Sequence, residues 1–142
     1  MSLKQRIAGL IQGIQDDRKH CASLLPLLQR QQQLLAATDA EGLAQVGQEI
    51  EQLLDGLRQS ARQRVRALEE LGLPADQQGM LKLIQQLPSS LSTQMLESWK
   101  ALETSLAQCK ALNERNGELL ASQRTILAEL TGKAEAGYGE AE

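Results

Sequence analysis

The chain reads as all-α: an elongated antiparallel bundle of three long helices plus one short bridging helix, with left-handed coiled-coil-like packing. Three observations predict this. Hydrophobic residues make up 42% of the 142, yet there is no Phe, one Trp (Trp99) and one Tyr (Tyr138). Only three prolines interrupt a composition dominated by Leu, Ala, Gln and Glu, all of them at home in helices. Apolar residues recur at alternating steps of three and four, the 3.5-residue repeat of helices that pack along one another.

The first helix is expected from about Ser2 to Ala37. Ile7, Ile14, Cys21, Leu28 and Leu35 recur every seven residues, with Leu3, Leu10, Leu24 and Leu25 beside them. Asp17 and Gln31 fall on the secondary row and leave the stripe imperfect. Pro26 lies inside the pattern and removes one backbone donor. Because Leu27 and Leu28 continue the same face, a kink is favoured over a break into two helices.

Thr38-Asp39-Ala40-Glu41 has the spacing of a capping box with Thr38 as N-cap. Leu43, Val46, Ile50, Leu53, Leu57, Ala61, Val65, Leu68 and Leu71 then carry a second helix to a stop at Gly72, with Pro74 just beyond. Asp76 caps a short segment to about Leu87, ended by Pro88. The last helix is expected from about Ser90 to Thr131, with Gly132 as its stop. Residues 1–132 are expected to form a single helical-bundle domain. Residues 133–142, with Gly137, Tyr138, Gly139 and three glutamates, read as a flexible acidic tail.

Several kinds of chemistry are excluded. The net charge is −3 and basic residues are scattered, so no footprint for nucleic acid is present. Arg58, Arg62 and Arg66 repeat every four residues along one flank; a solvated face with some ion pairs is expected there, with an acidic docking surface as the alternative. His20 is the sole histidine, which rules out a His-based metal site or a Ser-His dyad. Asp16-Asp17 and Glu69-Glu70 are sequence neighbours and do not converge on one helix face. No glycine-rich loop follows a strand, so phosphate-cradling motifs fail. Neither an enzyme nor a cofactor or metal is expected. Cys21 and Cys109 sit at seam positions and read as buried reduced thiols. No stretch resembles a secretory signal or reaches the length of a membrane span, so a cytoplasmic protein without membrane insertion is expected.

The last helix carries the candidate site. Met95, Trp99, Leu102, Leu106, Cys109, Asn113, Asn116, Leu120, Gln123, Leu127 and Leu130 trace its seam, which Asn113, Asn116 and Gly117 interrupt. Amides at a seam weaken a core but fix register, and a glycine there lets another backbone approach. At about 100° per residue, Leu112, Leu119, Leu120, Ile126, Leu127 and Leu130 occupy an arc of about 120° that encloses Asn116 and Gln123. Upstream, Ser98 and Ser105 fill the row that Leu112, Leu119 and Ile126 fill later, so the apolar face widens as its centre becomes polar. This end is either covered by more of the bundle or open to an amphipathic helix from another protein.

The run Cys109-Lys110-Ala111-Leu112-Asn113-Glu114-Arg115-Asn116-Gly117-Glu118-Leu119-Leu120 resembles the Leu-Asn-x-x-Asn-Gly-x-Leu signature of FlgN-type flagellar export chaperones. Leu71-Gly72-Leu73, Trp99 with Leu102, and Tyr138-Gly139 agree with it. The resemblance is strongest over residues 95–130 and diffuse over the first helix. It implies a chaperone that keeps hook-associated proteins, the hook–filament junction subunits, monomeric and delivers them to the flagellar export apparatus. It also implies that clients bind the C-terminal helical part and that Tyr138 docks at the export gate. A monomer or weak homodimer is expected. The competing expectation is a structural coiled-coil scaffold or adaptor whose seam serves self-association.

Overall fold

The computed structural model describes the backbone of residues 2–131 and the side chains of residues 2–121. Four helices follow one another: α1 (Leu3–Ala36), α2 (Ala40–Glu70), α3 (Gln77–Gln85) and α4 (Ser89–Thr131). Helix α1 packs along both α2 and α4, while the short α3 rests on α4. Arg6 pairs with Glu70 at 2.9 Å near one end of the α1–α2 hairpin, so those helices run antiparallel. Helix α4 runs parallel to α1, because their bonded pairs keep a nearly constant separation: 83 residues from Gln15 to Ser98, and 88 from Leu28 to Asn116. The result is the expected up–down–up bundle.

The ends of these helices follow from local chemistry. Ser2 Oγ accepts from the Gln5 amide at 3.2 Å and Gln5 Oε1 accepts from the Ser2 amide at 3.0 Å, a capping box not anticipated from the sequence. The expected box at Thr38 does not form. Thr38 has φ 51°, a left-handed conformation that closes α1, with the Asp39 amide bonded to Leu34 O and the Thr38 amide to Leu35 O. An N-cap needs extended backbone, so the role passes to Asp39, whose Oδ1 accepts from the Gly42 amide at 3.0 Å.

Gly72, φ 74°, closes α2 through the same pair of bonds, with the Leu73 amide reaching Leu68 O at 2.9 Å. Asp76 caps α3 through the Gly79 amide at 3.0 Å. Gly79 itself lies so close to Pro74 that any added Cβ would overlap the proline carbonyl oxygen. Helix α1 continues through Pro26 without a break. Both Pro26 and Ala22 are exposed, which leaves the Ala22 carbonyl that lost its donor open to water.

The core repeats every seven residues on both neighbours. Ile14, Cys21, Leu28 and Leu35 of α1 are buried, as are Met95, Leu102 and Cys109 of α4. Val46, Ile50 and Leu68 of α2, with Met80, Leu83 and Ile84 of α3, complete it. Cys21 and Cys109 are free and buried, the Cys109 thiol lying 3.9 Å from the Cys21 carbonyl oxygen. Burial, reinforced by the charges of Cys109 and Asp17, pushes the Cys21 thiol up to about 12.

The two imperfections in the α1 stripe turn out to be polar contacts. Asp17, 1% exposed, accepts from Ser60 Oγ at 2.9 Å and from Arg64 Nη1 at 3.2 Å. The Arg64 guanidinium in turn lies over the Trp99 ring, 5.2 Å from its centroid, so one node ties α1, α2 and α4 together. Gln31, the second imperfection, accepts from Asn116. On the α2 flank Arg58 pairs with Asp55 at 2.6 Å and Glu51 at 3.7 Å, while Arg62 and Arg66 are exposed and make no ion pair among the described residues.

Candidate partner-binding site

Helix α4 is held to α1 along most of its length. Gln15 Nε2 and Arg18 Nη1 donate to Ser98 Oγ at 3.1 and 3.4 Å near one end of the contact. At the other end Asn116 Nδ2 donates to Leu28 O at 2.8 Å and to Gln31 Oε1 at 2.9 Å. Asn116 is 3% exposed, and its Oδ1 is buried without a partner. The seam amide is therefore engaged within the chain. It anchors α4 to the α1 backbone.

The other expected site residues separate by position. Leu112 is half-buried and packs against the core; Leu119 and Leu120 are half-buried. Asn113 is exposed, against the expectation that it lies in the seam. The reason is drift: a straight helix turns about 20° per heptad away from a strict seven-residue repeat. The row Met95, Leu102, Cys109, Asn116 stays buried, while Trp99, Leu106 and Asn113 pass from buried through half-buried to exposed. Gly117 is also exposed, and a Cβ there would meet nothing within 4 Å, so no backbone among the described residues approaches it. Gln123, Ile126, Leu127 and Leu130 belong to the helical backbone of α4, but their side chains lie outside the described residues. Tyr138 lies outside them altogether.

Register decides what flanks these positions. The 88-residue offset that sets Asn116 beside Leu28 sets residue 123 level with Leu35, and α1 ends at Ala36. Helix α2 begins at Ala40, directly after the turn, so it starts at the same level. Residues 125–131 of α4 therefore run about 10 Å past both neighbours, at 1.5 Å per residue. Leu119 and Leu120 stand level with residues 31 and 32 of α1, little more than a turn short of where the bundle stops.

The node of Asp17, Ser60, Arg64 and Trp99 went unassembled from the sequence. Its signal was present: an acid on a seam row requires a buried cationic or hydroxyl partner. The 43 and 47 residues separating Asp17 from Ser60 and Arg64 hid which residues those are. No group of three or more metal-ligating side chains forms among the described residues, and no described helix is long and apolar enough to cross a membrane.

These features define an all-α helical bundle whose last helix outruns the two beside it. The family model for FlgN protein matches residues 1–133, and the chain belongs to that family. Membership places it among flagellum-biogenesis chaperones in general terms. A solved structure described as a flagella synthesis protein FlgN from Pseudomonas aeruginosa superposes with a TM-score of 0.70. It is 24% identical, and the match covers 78% of this chain and 84% of that one, so it attests the fold. No curated protein sequence matches the chain.

Proposed function

We propose that this protein is a cytoplasmic export chaperone that holds hook-associated proteins, the hook–filament junction subunits, on the C-terminal part of α4 and delivers them to the flagellar export gate. The observation that carries this reading is the overhang: the leucine-rich stretch 119–130 starts alongside α1 and runs on past the ends of α1 and α2. An amphipathic client helix there would continue the bundle in place of α1, with Leu119, Leu120, Ile126, Leu127 and Leu130 supplying contact. Each leucine contributes up to about 1.5–3 kcal/mol if fully buried. Ordering a disordered client consumes part of that, which keeps the association reversible. Tyr138 is proposed as the export-gate contact, and the chaperone as a monomer or weak homodimer.

The double substitution Leu120→Asp with Leu127→Asp tests the reading. It is expected to abolish co-purification with hook-associated proteins while circular dichroism still reports full helicity. Unchanged client binding in a folded double variant would sink the proposed surface. Light scattering adds a second arm, since a stable homodimer disrupted by the same substitutions would mean the face serves self-association. Tyr138→Ala is expected to keep clients and impair export; loss of client binding would assign the tyrosine to the client site instead.

A further inference from the structure

A cavity of about 420 Å³ opens between the N-terminal half of α1 and the C-terminal half of α2. It lies near the start of α1, far from the α4 overhang. On α1 its lining residues Arg6, Gly9 and Gly13 flank the row that meets α2, whereas α4 is met by Ile11, Ile14 and Gln15 on a different face. A client seated on the overhang therefore leaves it open.

Its chemistry is unlike the rest of a chain of net charge −3. Arg6, Arg64 and Arg66 stand around it, and Glu70 is the one carboxylate among its lining residues. Arg64 is committed to Asp17, and one end of the Arg6 guanidinium to Glu70. Arg6 Nε, however, is buried and has no acceptor, and Arg66, the last of the four-residue arginine row, has no ion pair among the described residues. Burial closes Arg6 Nε to an incoming group, but Arg66 and the outer part of the Arg6 side chain, 27% exposed, can donate to an oxygen from elsewhere.

The floor is the second observation. Gly9 and Gly13 lie inside α1, where glycine is the poorest helix former after proline. The bundle itself does not ask for glycine there. A Cβ at Gly9 would meet nothing within 4 Å, and one at Gly13 would meet only Ser60 Oγ at 3.5 Å. What the missing side chains leave is a shallow floor of backbone, Leu10 and Ala67 between walls of arginine. From Gln5 to Gly13 it spans about 12 Å, two turns of a guest helix at 1.5 Å per residue.

We propose that this groove is a second protein-docking site, taking a two-turn amphipathic helix of a partner that carries carboxylates beside small aliphatic side chains. The guest's carboxylates accept from Arg66 and from the exposed edge of the Arg6 guanidinium, and its aliphatic face lies over Gly9 and Gly13. Charge selects the guest and the glycine floor sets how closely it approaches. The site would let the chaperone engage a second protein while a client occupies α4.

The test uses the full chain, ¹⁵N-labelled, and a synthetic 17-residue helical peptide of Glu, Ala and Leu, with a control in which Gln replaces every Glu. The acidic peptide is expected to shift the resonances of Gly9, Gly13 and the Arg6 side chain. The Gln control is expected to bind about tenfold or more weakly, as loss of charge-assisted bonds implies. Gly9→Leu fills the floor without a clash at Cβ and should raise or preserve the melting temperature while weakening the acidic peptide about tenfold. If that variant fails to fold, Gly13→Ala with Arg66→Gln serves the same purpose. Equal binding of the two peptides, undiminished binding to a folded Gly9→Leu, shifts confined to residues 112–121, or no binding at millimolar peptide would each overturn the proposal. So would a concentration-dependent dimer that Gly9→Leu dissolves, since the occupant would then be a second copy of this chain.

Discussion

Replacing Asp17 with alanine should remove more stability than any surface change in this protein, and the structure says why. The carboxylate is 1% exposed and neutralises the Arg64 guanidinium, itself only 14% exposed. Cutting one partner from a buried pair typically costs about 3–5 kcal/mol, because the surviving charge keeps its desolvation without its compensation. Two features reduce that here: Arg64 retains some access to water, and its stacking on Trp99 contributes about 0.5–1 kcal/mol that survives the substitution. Ser60 loses its acceptor as well, worth about 1 kcal/mol. The expected net loss is about 2–4 kcal/mol, a large fraction of the 5–15 kcal/mol typical of a domain. Urea unfolding followed by circular dichroism and by Trp99, the sole tryptophan, measures it both globally and at the node. The pair Asp17→Leu with Arg64→Leu should recover most of the loss, since removing both charges leaves nothing stranded. A loss below about 1 kcal/mol for Asp17→Ala, or strictly additive losses in the double variant, would refute the buried-pair account.

Four other outcomes follow from the packing and the helix ends. Asn116→Leu forfeits two hydrogen bonds, about 1–3 kcal/mol together, but removes an unpartnered buried carbonyl and adds aliphatic burial of similar size or more, so the isolated fold should gain slightly; a clear fall in melting temperature would show that the amide bonds dominate. Thr38→Gly should stabilise by about 1 kcal/mol, because a β-branched residue is strained at φ 51° and glycine is not, as chemical denaturation would register. Gly79→Ala should destabilise markedly and loosen α3, since its methyl group overlaps the Pro74 carbonyl; hydrogen exchange over residues 77–85 locates the damage. Raising the pH above about 9 should erode stability, because Cys21 ionises freely in the unfolded chain but stays protonated in the fold up to about 12. The neutral thiol's contribution is whole below pH 9 and is lost by up to about 1.4 kcal/mol per pH unit above it. Cys21→Ala should flatten that slope.

Much of the architecture was legible because it is periodic. Ile14, Cys21, Leu28 and Leu35 announce the α1 stripe at one spacing, and the same spacing in Met95, Leu102 and Cys109 announces its partner. What the period cannot convey is pairing. Asp17 and Gln31 were visible as flaws in a stripe, yet their partners lie 47 and 85 residues away, beyond any local signal. Thr38 went astray for a different reason. Its sequence suits a cap, but the closing turn of α1 claims its backbone first, and Asp39 takes the role. Asn113 leaves the seam because the helix turns at nearer 3.6 than 3.5 residues per turn, a drift that grows with each heptad.

A seven-residue repeat by itself leaves the register of α4 on α1 undetermined. Sliding α4 along α1 by one heptad would still match leucine rows with leucine rows. It would, however, set Asn116 level with Leu35 or Cys21 and away from Gln31, burying an amide with no side-chain partner. Such a loss costs about 1–3 kcal/mol, enough to choose among alignments that hydrophobic contact alone treats as equal. The two Nδ2 bonds, to Leu28 O at 2.8 Å and Gln31 Oε1 at 2.9 Å, thus fix where α4 stops being accompanied. One heptad of slip would lengthen or shorten the overhang by about 10 Å. Asn116, read from the sequence as part of a partner's seat, works from inside the bundle. It determines how much of the leucine face beyond residue 119 extends past α1 and α2.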